Sequence, residues 1–73
     1  MKRIKYDNLQ IGNYVKIIDK DCRDDWWIGI TISENHIKCL DGRIKLHIGL
    51  QIPIFKSDII YRLSKNEMIV KLL

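Results

Sequence analysis

Few side chains in this 73-residue chain could do chemistry: two histidines, two cysteines and a run of aspartates. Cys39 lies between His36 and His47 in "HIKCLDGRIKLHI" (residues 36–48). A thiol beside an imidazole makes a nucleophile and base pair, and the same groups are zinc ligands. Strand alternation works against both uses, because neighbouring side chains point to opposite faces. Cys39 then falls on one face and both histidines on the other. Two imidazoles also fall short of the three or four ligands that zinc takes, and the spacing brings no carboxylate beside them.

The stretch "DKDCRDD" (residues 19–25) holds Asp19, Asp21, Asp24 and Asp25. A calcium loop of the EF-hand type needs Gly at its sixth position and Glu at its twelfth. Counted from Asp19, those places hold Asp24 and Ile30. With Lys20 and Arg23 neutralising part of it, the stretch reads as a solvated loop. Cys22 and Cys39 match no metal spacing, and two thiols do not make a disulfide framework. Both are expected free, in a reducing cytoplasm. The fingerprints of hydrolases, zincins, P-loops and dinucleotide sites do not occur. A chain this short also offers little depth for a water-excluding pocket. The expectation is a non-enzymatic protein with no cofactor, no metal and no small-molecule substrate.

The elements that position these groups follow from the apolar period. Fifteen Ile and no Ala, spaced at a period of two, favour strands. The same bias reflects AT-rich codons, as in a low-GC bacterium or one of its phages. Residues 2–6, 14–19, 26–32, 36–40 and 43–48 read as strands, with loops at 7–13 and 20–25 and a turn at 33–35. Pro53 interrupts a strand or marks an edge. Residues 59–63 and 68–72 read as a last hairpin around Lys65-Asn66, or as a C-terminal helix, since Ile60, Leu63, Ser64 and Glu67 also fit a helical spacing. The hairpin is favoured. Short strands at regular spacing predict an all-β fold, a small barrel of five to six antiparallel strands in one domain spanning residues 1–73.

Asp41-Gly42 between alternating runs is a strong hairpin signal, because a type I′ turn needs positive φ at both positions. A two-residue loop sets Leu40 opposite Arg43, Cys39 opposite Ile44, Lys38 opposite Lys45, Ile37 opposite Leu46 and His36 opposite His47. Ile37, Cys39, Ile44, Leu46 and Ile48 then face the core. His36, Lys38, Arg43, Lys45 and His47 face out. Like charges directly opposite cost up to about 1 kcal/mol, so an anion between Lys38 and Lys45 would relieve the pair. With Arg62, this face is the candidate nucleic-acid site, and the net charge of +4 is compatible with it. A solvated face with splayed lysines is the plainer alternative.

"IGNYVKIIDKDCRDDWWIGI" (residues 11–30) resembles the central part of a Src-homology-3 domain. Gly12, Val15, Ile17, Asp24, Asp25, Trp26, Trp27 and Gly29 sit in order on that family's pattern of Gly turn, alternating strand, acidic loop, Trp-Trp and small residue. "DGRIKLHIGLQIPIF" (residues 41–55) is loosely similar to its later Gly and Pro stretch. The match covers about half the chain and is shared in part by Tudor-type and KOW-type barrels. The resemblance implies an SH3-like barrel. It does not imply the proline-peptide site, of which only Trp26 and Pro53 have counterparts here.

Trp26 and Trp27 are the only tryptophans. Alternation groups Trp26 with Ile28, Ile30 and Ile32, and Trp27 with Gly29 and Thr31. The apolar pattern buries the first group, whereas the resemblance implies that the first Trp is on the binding surface. On either reading one Trp faces outward, where Trp is enriched at interaction hot spots. Strand bending that half-buries both is the bland alternative. Trp26, Trp27, Ile28 and Ile30 are therefore the candidate protein-binding residues, for another protein or a second copy of this chain. No apolar run approaches the roughly 20 residues of a membrane helix, and "MKRIKYDN" lacks the apolar core of a signal peptide. A cytoplasmic interaction module, of the kind a phage or mobile element encodes as a regulator or inhibitor, is the expected function, with nucleic-acid binding as the alternative.

Overall fold

The computed structural model describes residues 1–72, and their side chains as far as Met68. Six strands are followed by one helix: β1 (Lys2–Ile4), β2 (Tyr14–Ile18), β3 (Trp26–Ser33), β4 (His36–Gly42), β5 (Gln51–Pro53), β6 (Ile59–Leu63) and α1 (Lys65–Leu72). They form one antiparallel sheet in the order β1-β6-β2-β3-β4-β5. The fold is mostly β, as the apolar period predicts. β1 and β5 are the edges, and no ladder joining them is seen among the described residues. Lys2 and Arg3 on one edge and Pro53 on the other are the residue types that discourage further strand pairing.

Register divides the sheet into two apolar faces. Ile17 pairs with Trp27 on one side and Ile60 on the other. With Val15, Ile37 and Ile54 they make the main core, which also takes in Ile4, Tyr6, Leu9 and Ile52. The opposite face holds a second cluster of Ile28, Leu63 and Met68, flanked by Tyr14, Trp26 and Leu40. Strands covered on both faces read as nearly continuous apolar runs, which is why "YVKII" and "WWIGI" are so rich in Ile. Gly29 lies where β3 and β4 slip register. A Cβ there would sit 2.2 Å from the Lys38 carbonyl oxygen, so only Gly allows that approach.

The C-terminal segment is where the expected hairpin gives way to its alternative. Residues 65–72 are helical, and the start is fixed by a reciprocal cap. The Ser64 backbone N–H donates to Glu67 Oε1 (3.1 Å), and the Glu67 N–H donates to Ser64 Oγ (3.2 Å). The physical reason is cover: Leu63 and Ile28 need a lid on the second face, and Met68, 3% exposed, supplies it. A further hairpin strand would have left that face open. No helix among the described residues is long and apolar enough to cross a membrane.

The hairpin at Asp41-Gly42 is also corrected. β4 runs straight through both residues, which pair with Ile28 and Trp27 of β3. Neither has positive φ; the two positive-φ glycines among the described residues are Gly12 and Gly49. Asp41 Oδ1 accepts the Gly42 N–H within the strand (2.9 Å). β3 is eight residues long, and completing its ladder outweighs the local turn preference. The chain instead reverses over residues 43–50, through a 3₁₀ turn at Lys45–His47 and then Gly49 (φ 89°). β4 therefore pairs with β5 as His36 with Pro53, Ile37 with Ile52 and Lys38 with Gln51. Ile37 and Cys39 are buried as expected, whereas Ile44, Leu46 and Ile48 are exposed.

Candidate functional site

The shift in register dismantles the expected basic face. Lys38 stands opposite Gln51 rather than Lys45, so no like-charge pair calls for an anion. Lys45 Nζ reaches Asp41 Oδ1 at 2.6 Å, and Arg43 Nη2 reaches Asp25 Oδ1 at 3.0 Å. His36 Nδ1 lies 2.8 Å from Asn35 Oδ1. His47 has left the sheet for the 3₁₀ turn. Arg62 is on β6 and belongs to a different feature, an open groove of about 600 Å³ that it lines with Lys2, Arg3 and Lys5. The six residues are thus dispersed.

The two tryptophans sit on opposite faces, both half-buried. Trp26 packs against the second cluster, with Lys16 Nζ 4.9 Å and Lys45 Nζ 5.9 Å from its ring centre. These are cation–π distances, and they hold the indole under two lysines. Ile28, beside it in that cluster, is 1% exposed, and Ile30 is half-buried. Trp27 packs against the main core. Its Nε1–H donates to His47 Nδ1 at 3.1 Å. An indole N–H and an imidazole lone pair each point outward in the plane of their own ring. With ring centres 6.4 Å apart and planes 21° apart, the rings lie edge to edge as one aromatic plate rather than face to face.

The plate lines an apolar cleft of about 250 Å³, together with Ile52, Pro53, Phe55, Asp19 and Asp58. Each wall has a local cause. Pro53 is on the β5 edge. Phe55 and Asp58 are the ends of a turn closed twice, by Asp58 N–H to the Phe55 carbonyl and by Phe55 N–H to Asp58 Oδ2, both 2.9 Å. Asp19 heads the β2–β3 loop, where its Oδ1 accepts the N–H groups of Asp21 (2.8 Å) and Cys22 (3.3 Å). Burial pushes the Asp58 carboxyl above its ordinary value. The Phe55 N–H opposes that shift, and the nearby Asp19 charge adds to it.

Sequence reasoning brought Trp27 and Pro53 forward but not their meeting. Phe55 and Asp58 carry no such signal beyond the turn signature of Ser and Asp in "FKSD", and Asp19 reads only as part of a solvated acidic loop. The thiols are both free, Cys22 exposed and Cys39 buried. Burial raises the Cys39 thiol, partly offset by its bond to the Asp41 carbonyl. Among the described residues no three His, Cys, Asp or Glu side chains gather as a metal site would require. The chain matches no family model, no curated protein and no solved structure.

Proposed function

We propose that the six-stranded sheet is an SH3-like barrel open between β1 and β5, and that the protein is a non-enzymatic protein-binding module working through the Trp27 side. The observation that carries this reading is the apolar surface left uncovered by folding. In residues 43–55, Leu46 is 88% exposed and Phe55 59%, with Ile44, Ile48 and Leu50 also exposed. Scattered apolar residues need no explanation, but five within twelve positions do. Leu46 and Ile48 flank His47, and Phe55 and His47 line the same cleft. Trp26, Ile28 and Ile30 are less suited to first contact, since Ile28 is beneath Met68.

Selection of a random peptide library on the immobilised protein tests this. The expected result is enriched peptides whose binding survives high salt and is lost in Leu46→Asp and Phe55→Ala. Both positions are exposed, so both variants should fold. Enrichment indifferent to both substitutions, or none, would reject the reading. The groove of Lys2, Arg3, Lys5 and Arg62 favours nucleic-acid binding as a second reading, now at the β1 and β6 edge. Its mark would be affinity for single-stranded RNA or DNA that falls steeply with salt.

A further inference from the structure

Resting on the protein-binding reading, we infer that the cleft receives the guanidinium of an arginine side chain from the partner, held flat on the Trp27/His47 plate and paired with Asp19 and Asp58. Four observations converge. The cleft, at about 250 Å³, is smaller than the roughly 300–1,000 Å³ of small-molecule sites, which suits one side chain. The edge-to-edge plate offers a broad planar π surface. Guanidinium is planar and weakly hydrated and stacks on such faces, whereas an ammonium is a compact, strongly hydrated point charge.

The two carboxylates supply the counter-charge. Neither forms an ion pair among the described residues. Each hydrogen-bonds its own loop through one oxygen, Asp19 by Oδ1 and Asp58 by Oδ2. The second oxygen of each has no hydrogen bond among the described residues. Among the described residues no lysine or arginine lines the cleft, and His47 Nδ1 is taken up by the Trp27 N–H. Lys56 lies over the Tyr6 ring, while Arg43 and Lys45 are committed to Asp25 and Asp41. Two mutually repelling carboxylates beside an aromatic plate, on a chain of net charge +4, match a fork of N–H donors. Of the two counterparts of the family's peptide groove, Pro53 lines this cleft, whereas Trp26 packs against the second cluster on the opposite face.

The test reads Trp27 fluorescence in a Trp26→Phe background, at constant ionic strength. The probes are the N-acetyl amides of arginine, lysine, citrulline and norleucine. Saturable quenching is expected with the arginine probe, about 3-fold tighter than with lysine and at least ~10-fold tighter than with neutral, isosteric citrulline. Asp19→Asn and Asp58→Asn keep the loop acceptors and remove the charges. Each should weaken the arginine probe about 5-fold and leave citrulline unchanged. Equal binding of arginine and citrulline, or no saturable quenching by arginine, would overturn the inference. If peptides selected on the Leu46 and Phe55 surface then still bind, the protein-binding reading stands without it. If they do not, both fall.

Discussion

The centre of the sheet and the segment that follows β4 have similar apolar content and opposite fates. In β2, β3 and β6, Val15, Ile17 and Ile60 are covered by the main core and Ile28 by the Met68 cluster. In residues 43–55, Ile44, Leu46, Ile48, Leu50 and Phe55 meet water. The difference is pairing. A strand held by ladders on both sides presents its side chains to fixed neighbours, whereas a 3₁₀ reversal points them where no element lies. Hydrophobicity alone does not mark a core residue; Ile54, in the same segment, is buried because the chain there returns to the main core.

The sharpest way to break this comparison is to truncate one side chain in each region. Ile17, 0% exposed, touches the centre of the main core. Ile17→Ala should cost about 2–5 kcal/mol, a large part of what a domain this size has. Leu46→Ala should change stability by less than about 0.5 kcal/mol. Urea midpoints of the two variants give the contrast, and similar losses would mean that residues 43–50 are packed after all.

The helix lid should respond at the next level down. Ser64→Ala removes the acceptor for the Glu67 N–H and should cost about 1 kcal/mol. It should also raise acrylamide quenching of Trp26, which lies under that cover, while leaving Trp27 unchanged. Glu67 itself is held below the ordinary carboxylate range, first by the chain's amino terminus and then by the Ser64 N–H. A lowered pKa stabilises above the unfolded value and is lost as pH falls through the folded one. Acid should therefore loosen the lid before the main core, visible as early loss of protection in hydrogen exchange over α1.

The smallest effect distinguishes a carboxylate kept for binding from one kept for stability. Asp58 is raised by burial and by Asp19, so its contribution to stability is greatest below the unfolded pKa and is lost as pH rises through the folded one. Asp58→Asn should leave Tm unchanged near about pH 3 and raise it at about pH 7, by no more than about 2 °C after solvent screening. A lower Tm at neutral pH would make Asp58 a structural residue. A higher one fits a group whose repulsion is tolerated for a ligand.

Much of the frame was legible. Strand alternation placed β2 and β3 to within a residue and paired Ile28 with Trp26 on one face. Asp7 to Asn13 read as loop, and Pro53 as an edge residue. Trp26 and Trp27 were rightly placed on opposite faces. What could not be read was that each face has its own cluster, so that neither indole is simply inside or out. The Asp41-Gly42 signal failed because φ preference at a dipeptide is worth little beside the ladder of an eight-residue strand. The cleft was beyond reach for a similar reason: Trp27, His47, Phe55, Asp58 and Asp19 come from four separate stretches.

By itself the sequence determined the composition of strands, which faces along each strand match, the free thiols and the lack of a catalytic fingerprint. Those properties are local, set by side-chain period and residue chemistry. Only the tertiary structure decided where the chain turns back after β4, that the C-terminus is a lid, and which Trp meets the carboxylates. The first two are competitions between local preference and long-range contacts: the β3 ladder moved the turn, and burial of the second apolar face set the lid.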